Sequence, residues 1–280
     1  MHKRILITSV LLTTTLIGCI SLTRDYNAGQ SRALNLARAG DIYDIDLRDS
    51  ADGTNSYSKG VFVPLLNFAS LATSFDAPLR HLSGSQTLLF NATDIMMTPD
   101  SPSARPSLIG WMPASLVKSE EQAYNKYIDL VDHAIEQVSI DMGLTAIKLS
   151  EIETPTIDGH PLMLWSIKSE KYGCNMDNCI VAYNIQEPTY WKTPEYIIDS
   201  ELNSYSITAS HPENYSRFIF KQTGKDNNFP MDEFYRAISA SLPPWMIMYY
   251  PPNKIVQSSE LISYPVLYEQ GKQLIFRKPK

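Results

Sequence analysis

The sequence predicts an α+β fold with a mainly antiparallel sheet, and three observations lead to this prediction. A long apolar repeat with helical spacing occupies the middle of the chain. Short segments rich in β-branched and aromatic residues, separated by turn residues, follow it, which is typical of antiparallel strands. A second, shorter helical repeat stops at a pair of prolines, Pro243 and Pro244.

The first helix is predicted at about residues 120–142. Ser119 and Gln122 are spaced as a capping box at its start, and Gly143 is placed to end it. The apolar residues between them recur every three or four positions, which predicts one buried helix face: Tyr124, Tyr127, Ile128, Val131, Ile135, Val138 and Met142.

The second helix is predicted at about residues 230–242. Pro230 suits the first turn of a helix, and Asp232 and Glu233 complement the positive end of the helix dipole. Pro243 ends it because proline interrupts helical hydrogen bonding. Its apolar face consists of Phe234, Ile238 and Leu242.

Strands are predicted in the segments between and after the helices. The last two form a terminal hairpin, VLYEQGKQLIFRK, with its turn at Gln270-Gly271. The other predicted strands cover residues 161–167, 179–185, 204–209, 217–221 and 245–250.

Cys174 and Cys179 lie between two of these strands, so they are predicted to staple the tip of a hairpin. Two cysteines this close in an exported protein favour a disulfide. A redox pair and a metal site are the alternatives. The redox motif has two intervening residues whereas four intervene here, and zinc needs further ligands.

The first 18 residues are predicted to be an export signal peptide that is removed. Lys3 and Arg4 give a positive start, and residues 5–17 are apolar or carry hydroxyl groups. Such a segment is too short to cross about 30 Å of hydrocarbon as a helix, but it fits the apolar region of a signal peptide.

The stretch Leu16-Ile17-Gly18-Cys19 resembles the L-x-G-C lipobox of bacterial lipoproteins. The resemblance implies that Cys19 becomes the acylated N-terminus, and several acyl chains, palmitate among them, anchor a protein stably in a bilayer. In this class, Ile20 and Ser21 after the cysteine, in place of Asp, imply delivery to the outer membrane, facing the periplasm. The alternative is an ordinary signal peptide with an incidental cysteine.

The mature chain is predicted to contain a tether and one globular domain. Residues 19–58 are predicted to be a lipid-anchored tether and loop, because they are polar and weakly patterned. Residues 59–280 form the globular α+β domain. Residues 98–107 are rich in proline and serine, which predicts a linker or long loop, so a division of the domain near 98–118 stays open.

The sequence carries no familiar motif for catalysis or nucleotide binding. Asp132, His133 and Glu136 lie outside the apolar stripe of the first helix, and we interpret them as a solvated face. We therefore predict no catalytic residues, no metal and no cofactor. The net charge is −6 and no long basic run is present, which disfavours nucleic-acid binding.

The segment EPTYWKTPEY at residues 187–196 is predicted to be an exposed loop. Its aromatic residues Tyr190, Trp191 and Tyr196 are candidates for contact with a protein partner or a glycan, because aromatic side chains dominate binding hot spots. The alternative is that these rings pack on the sheet.

The favoured hypothesis is a non-catalytic envelope lipoprotein that binds a protein partner in the periplasm. It would serve a secretion, pilus or conjugation assembly, or act as an immunity protein against a toxin. One alternative is a periplasmic hydrolase acting on cell wall or glycan, with Tyr190 and Trp191 as a sugar platform and His160 or His211 near the chemistry. Another is a passive structural lipoprotein.

Overall fold

A computed structural model of the chain provides the structure. It describes residues 25–43, 47–54, 101–149, 156–157, 160–209, 215–223, 228–257 and 260–280. The predicted signal peptide, the lipobox with Cys19 and His211 lie outside these residues.

The fold is a mixed α+β fold with antiparallel sheets. The described residues form three α-helices: α1 (Arg32–Ala39), α2 (Glu120–Asp141) and α3 (Met231–Ser241). No helix among them is both long and apolar enough to cross a membrane.

The strands of the described residues follow in chain order. They are β1 (Ser107–Pro113), β2 (Thr145–Lys148), β3 (Thr156–Ile157), β4 (His160–Pro161), β5 (Met163–Lys168), β6 (Cys179–Asn184), β7 (Thr189–Lys192), β8 (Asn203–Ile207), β9 (Arg217–Gln222), β10 (Met246–Tyr250), β11 (Val256–Gln257), β12 (Glu260–Leu261), β13 (Val266–Glu269) and β14 (Lys272–Ile275).

Two larger sheets organise these strands. The first has six strands in the order β14-β13-β10-β1-β8-β7, and the second has four in the order β2-β5-β6-β9. Every pair of neighbouring strands in both sheets is antiparallel. Two short hairpins, β3-β4 and β11-β12, complete the set.

Helices α2 and α3 lie between the two sheets. On α2, the hydroxyl of Tyr127 accepts a 3.0 Å hydrogen bond from the amide of Met112 and donates one of 2.8 Å to the carbonyl of Tyr205, both in the six-stranded sheet. On α3, the ring of Tyr235 stacks on Tyr250 of that sheet. Its hydroxyl accepts a 2.8 Å hydrogen bond from the amide of Phe220 in the four-stranded sheet.

Helix α1 contacts β13 and β14, on the face of the six-stranded sheet opposite α2 and α3. The side chain of Ser31 accepts a hydrogen bond from the amide of Leu34, which caps the helix start. Arg32 forms an ion pair with Glu269 of β13. Helix α1 lies within residues 19–58, which were predicted to be tether and loop. Its apolar residues repeat at helical spacing and are buried in the main core.

Strand β1 lies at the centre of the six-stranded sheet, with all seven residues buried. The division near 98–118 that the sequence left open covers this strand, and residues 107–113 are part of the sheet. In the described part of the proline- and serine-rich sequence before β1, Ser103 and Arg105 are fully buried. Hydrogen bonds to β10 on one side and β8 on the other fix β1 in place.

The cysteine hairpin has the predicted arrangement. β5 and β6 pair as antiparallel neighbours, and a disulfide joins Cys174 to Cys179 at their tip. At the chain end, Gln270 and Gly271 both have positive φ, which is the backbone of a type I′ turn that suits the twist of a two-residue hairpin.

Candidate functional site

The edge of the six-stranded sheet carries the two most exposed aromatic rings of the segment 187–196. The sequence predicted a loop here, whereas the structure forms β7 at Thr189–Lys192, paired with β8. Tyr190 is 48% exposed and Trp191 is 57% exposed. Exposed apolar side chains become informative when several of them lie together.

Tyr190 and Trp191 point to opposite faces of the sheet, because neighbouring residues in a strand alternate. Tyr190 lies opposite Tyr205, and their ring centroids are 5.3 Å apart in an edge-on contact. Trp191 lies opposite Ser204 on the other face. The two rings therefore do not form one flat platform, so the geometry disfavours the sugar platform that the sequence suggested.

Two exposed leucines that the sequence analysis did not single out lie at the same end of the sheet. Leu202 precedes β8 and is 65% exposed, and Leu116 follows β1 and is 56% exposed. The register Pro113↔Ser204 brings both to the same corner of the sheet as Trp191. We call Leu116, Tyr190, Trp191 and Leu202 the β7 corner.

A hydrogen-bonded contact holds the two leucine-bearing segments together. The amide of Ser115 donates a 3.1 Å hydrogen bond to the carboxylate of Glu201, and the hydroxyl of Ser115 donates a second one. Since each residue is next to one of the leucines, Leu116 and Leu202 are fixed near each other. The apolar surface of the β7 corner is thus part of an ordered structure.

The outer edge of β7 offers few backbone groups for pairing. The amide of Thr193 donates to the carbonyl of Leu202, so Thr193 and Trp191 face β8 while Tyr190 and Lys192 direct their backbone groups outwards. Pro188 and Pro194 occupy the next outward positions, two residues before Tyr190 and two after Lys192. Proline has no N–H to donate at these positions. Prolines and a lysine are typical of strands that avoid edge pairing.

Unused hydrogen-bonding groups lie on the Trp191 face of this edge. Within the described part of the chain, the Oγ1 atom of Thr193, the Oγ of Ser204 and the Nε1 of Trp111 are buried and make no hydrogen bond. Strand alternation places all three on the face that carries Trp191. Since buried polar atoms usually have a partner, these three are exceptions within the described part of the chain.

Tyr196, the third aromatic candidate, makes contacts within the fold. Its hydroxyl donates a 3.0 Å hydrogen bond to the carbonyl of Asn35 in α1, and its ring packs edge-on against Tyr26 at 5.3 Å. It is half-buried on the α1 side of the fold. The hydroxyl and the ring of Tyr196 are therefore both engaged in contacts within the fold.

The predicted solvated face of α2 is only partly exposed. His133 and Glu136 are exposed, but the carboxylate of Asp132 is mostly buried. It accepts hydrogen bonds from Tyr183 at 2.5 Å, from the indole of Trp165 at 2.9 Å and from Lys148 at 2.5 Å. The prediction of a solvated Asp132 was wrong, because residues from three strands converge on it.

Of the two histidines named for the hydrolase alternative, only the backbone of His160 lies within the described residues. His133 is exposed on α2 and His160 lies in the short strand β4. Among the residues that the structure describes, no three His, Cys, Asp or Glu side chains group as metal ligands.

Acidic residues flank β7 along the chain. Glu187 precedes β7, and Glu195, Asp199 and Glu201 follow it, all exposed. Burial and the nearby charge of Glu187 raise the pKa of Tyr124 on α2, so Glu187 lies close to the N-terminal half of that helix.

In comparisons with known proteins, no family model, no curated protein and no solved structure matches this chain.

Proposed function

We propose that this protein is a lipid-anchored protein of the bacterial envelope that binds a protein partner, without catalysis, through the β7 corner. The observation that carries the proposal is the cluster of exposed apolar side chains at one ordered edge of the sheet: Leu116, Tyr190, Trp191 and Leu202. Exposed apolar patches rimmed by polar residues mark interaction sites.

The β7 corner suits side-chain contacts better than strand addition. Only Tyr190 and Lys192 direct N–H groups outwards, which is too short an edge for a partner strand. Trp and Tyr side chains, in contrast, bury large areas with little loss of conformational entropy and are enriched at binding hot spots. In this proposal α2 is the long amphipathic helix that supports the corner, since Tyr127 bonds to both β1 and β8.

A protein partner is favoured over a glycan by the shape of this edge. Sugar rings stack on flat aromatic faces, but Tyr190 and Trp191 point to opposite faces and Tyr190 is already packed edge-on against Tyr205. The two leucines add aliphatic surface, which is typical of a protein contact. The hydrolase hypothesis loses its predicted platform for the same reason.

Site-specific photocrosslinking in cells of the native host tests the proposal. A photoreactive amino acid placed at Leu202 should give one discrete crosslinked protein, which mass spectrometry identifies. The purified partner should then bind the wild-type chain, and Trp191→Ala should weaken binding about 10-fold or more, as expected for a hot-spot residue.

A matched control is available at Ile140. This residue is 71% exposed near the end of α2, roughly 30 Å along the helix from its start by the rise per residue. The photoreactive group at Ile140 should not capture the same protein. If both positions gave the same products, or if Leu202 gave none, the binding proposal would be wrong.

The membrane anchor has a separate test. Cys19→Ala should block acylation and leave the protein unprocessed or released from membranes, whereas Cys19 in the wild type should carry the acyl chains. Metabolic labelling with an alkyne fatty acid measures this directly. Equal labelling of the variant would reject the lipobox interpretation while leaving the β7 corner untouched.

A further inference from the structure

The β7 corner lies beside acidic segments of the described chain. The segments 114–122 and 187–203 together carry six acidic residues and two lysines, a net charge of −4, against −6 for the whole chain. The acidic residues are Glu120, Glu121, Glu187, Glu195, Asp199 and Glu201, and all six are exposed.

One of these charges is bonded beside the corner, and the others flank its segments along the chain. Glu201 is fixed beside Leu116 and Leu202 through its hydrogen bonds to Ser115. Glu187 precedes the start of β7, and its charge adds to the effect of burial that raises the pKa of Tyr124 on α2. Glu120 and Glu121 open α2, four and five residues after Leu116.

The two lysines do not neutralise this surface. Lys192 is exposed at the end of β7, and Lys118 is exposed before α2. In the two segments, carboxylates outnumber ammonium groups three to one. Exposed charges within about 8 Å of each other act together at physiological salt.

We infer that the protein partner presents a basic surface around the apolar group that docks on the β7 corner. The inference rests on the proposed function and adds the chemistry of the partner. Charge complementarity at the rim of an interface speeds association and rejects wrong partners. A partner with an acidic rim would be repelled by the same carboxylates.

The fluorescence of Trp191 gives a measurement that needs no partner. The chain has four tryptophans, and Trp111, Trp165 and Trp245 are buried. Quenching by caesium and by iodide therefore reports the charge around Trp191. We expect caesium to be more effective than iodide, each relative to free N-acetyltryptophanamide and at constant ionic strength. Equal or greater quenching by iodide would overturn the inference.

A charge-reversal variant tests the effect on binding. In Glu187→Lys/Glu195→Lys/Asp199→Lys, the crosslink from Leu202 should fall strongly, and the association rate of the captured partner should fall about 10-fold or more. The rate for the wild type should also decrease as salt is added, because screening weakens exposed charges.

The control variant carries the same change in net charge elsewhere. Glu136→Lys/Asp141→Lys/Glu170→Lys replaces exposed carboxylates on α2 and in the cysteine hairpin. It should leave the crosslink at the wild-type level. An undiminished crosslink in the charge-reversal variant would overturn the inference but leave the binding function standing. If the wild-type protein itself gave no discrete crosslink from Leu202, the binding function would be wrong.

Discussion

The carboxylate of Asp132 on α2 accepts a 2.5 Å hydrogen bond from the hydroxyl of Tyr183 on β6. The same carboxylate accepts from Trp165 on β5 and from Lys148 on β2. One side chain thus ties the helix to three strands of the four-stranded sheet. Because the helix also bonds to the six-stranded sheet through Tyr127, it links the two sheets.

Asp132→Asn is expected to destabilise the fold by about 1–3 kcal/mol, since the amide loses the ion pair and leaves one buried donor without an acceptor. Urea unfolding followed by circular dichroism measures the change. Asp129→Asn, an exposed carboxylate one turn earlier, should stay within about 0.5 kcal/mol of the wild type. Equal effects of the two variants would contradict a structural role for Asp132.

Asp132 also illustrates which features can be predicted from sequence. The capping box and the apolar spacing predicted a helix over 120–142, and the helix Glu120–Asp141 lies there, because both patterns are local. The partners of Asp132 come from strands 16 to 51 residues away. No local pattern reports such contacts, so the residue was interpreted as solvated.

The candidate site likewise combines residues that a local pattern reveals with residues that depend on non-local contacts. Tyr190 and Trp191 attract notice in the sequence as neighbouring aromatic residues between prolines. Leu116 and Leu202 do not stand out in the sequence, and their segments are brought together because β1 and β8 are neighbours in the sheet. Strand order depends on non-local pairing, which one sequence without relatives does not specify.

Strand β1 was missed for a physical reason. Its sequence SLIGWMP contains a glycine and ends in proline, both of which are unfavourable within strands. The glycine is required by packing, because a Cβ at Gly110 would lie 2.7 Å from the ring of Tyr127. The residue that weakens the sequence pattern is the one that lets α2 approach the sheet.

Gly110→Ala is therefore expected to destabilise the protein by about 1–3 kcal/mol through overpacking. Tyr127 has little freedom to move because its hydroxyl bonds to Met112 and Tyr205. Thermal or urea unfolding gives the value. The control is the same substitution in a Tyr127→Ala background, where the added cost should largely vanish; full additivity would show that the ring is not the obstacle.

Buried tyrosines predict instability at high pH. Burial is the main cause that raises the pKa of Tyr127, Tyr183, Tyr235, Tyr250 and Tyr268 above the usual value of 10, and at Tyr183 and Tyr268 a neighbouring aspartate adds to it. Above pH 10 the unfolded chain loses these protons while the native state retains them. The stabilising effect is complete below pH 10 and is lost as the pH rises further.

We expect a steep alkaline transition in which folded structure and tyrosinate absorbance change together. Circular dichroism and near-ultraviolet absorbance, recorded in parallel at constant ionic strength, measure it. Tyr183→Phe removes one of the groups and should make the pH dependence shallower. Gradual ionisation of all the tyrosines without loss of structure would contradict their burial.

The disulfide at the hairpin tip gives the last prediction. Cys174 and Cys179 close a short loop, for which chain entropy predicts a stabilisation of about 2 kcal/mol. Cys174→Ala/Cys179→Ala should lower the urea midpoint by a corresponding amount. The β7 corner belongs to the other sheet, so its crosslink at Leu202 should persist.

Reduction of the wild-type protein provides the matched comparison. Dithiothreitol should destabilise the wild type towards the value of the double variant, and it should have no effect on the variant, which lacks both thiols. Mass spectrometry of the unreduced protein from the envelope should find the two cysteines linked. Two free thiols in that sample would reject the staple, and the hairpin would then depend on its β5-β6 pairing alone.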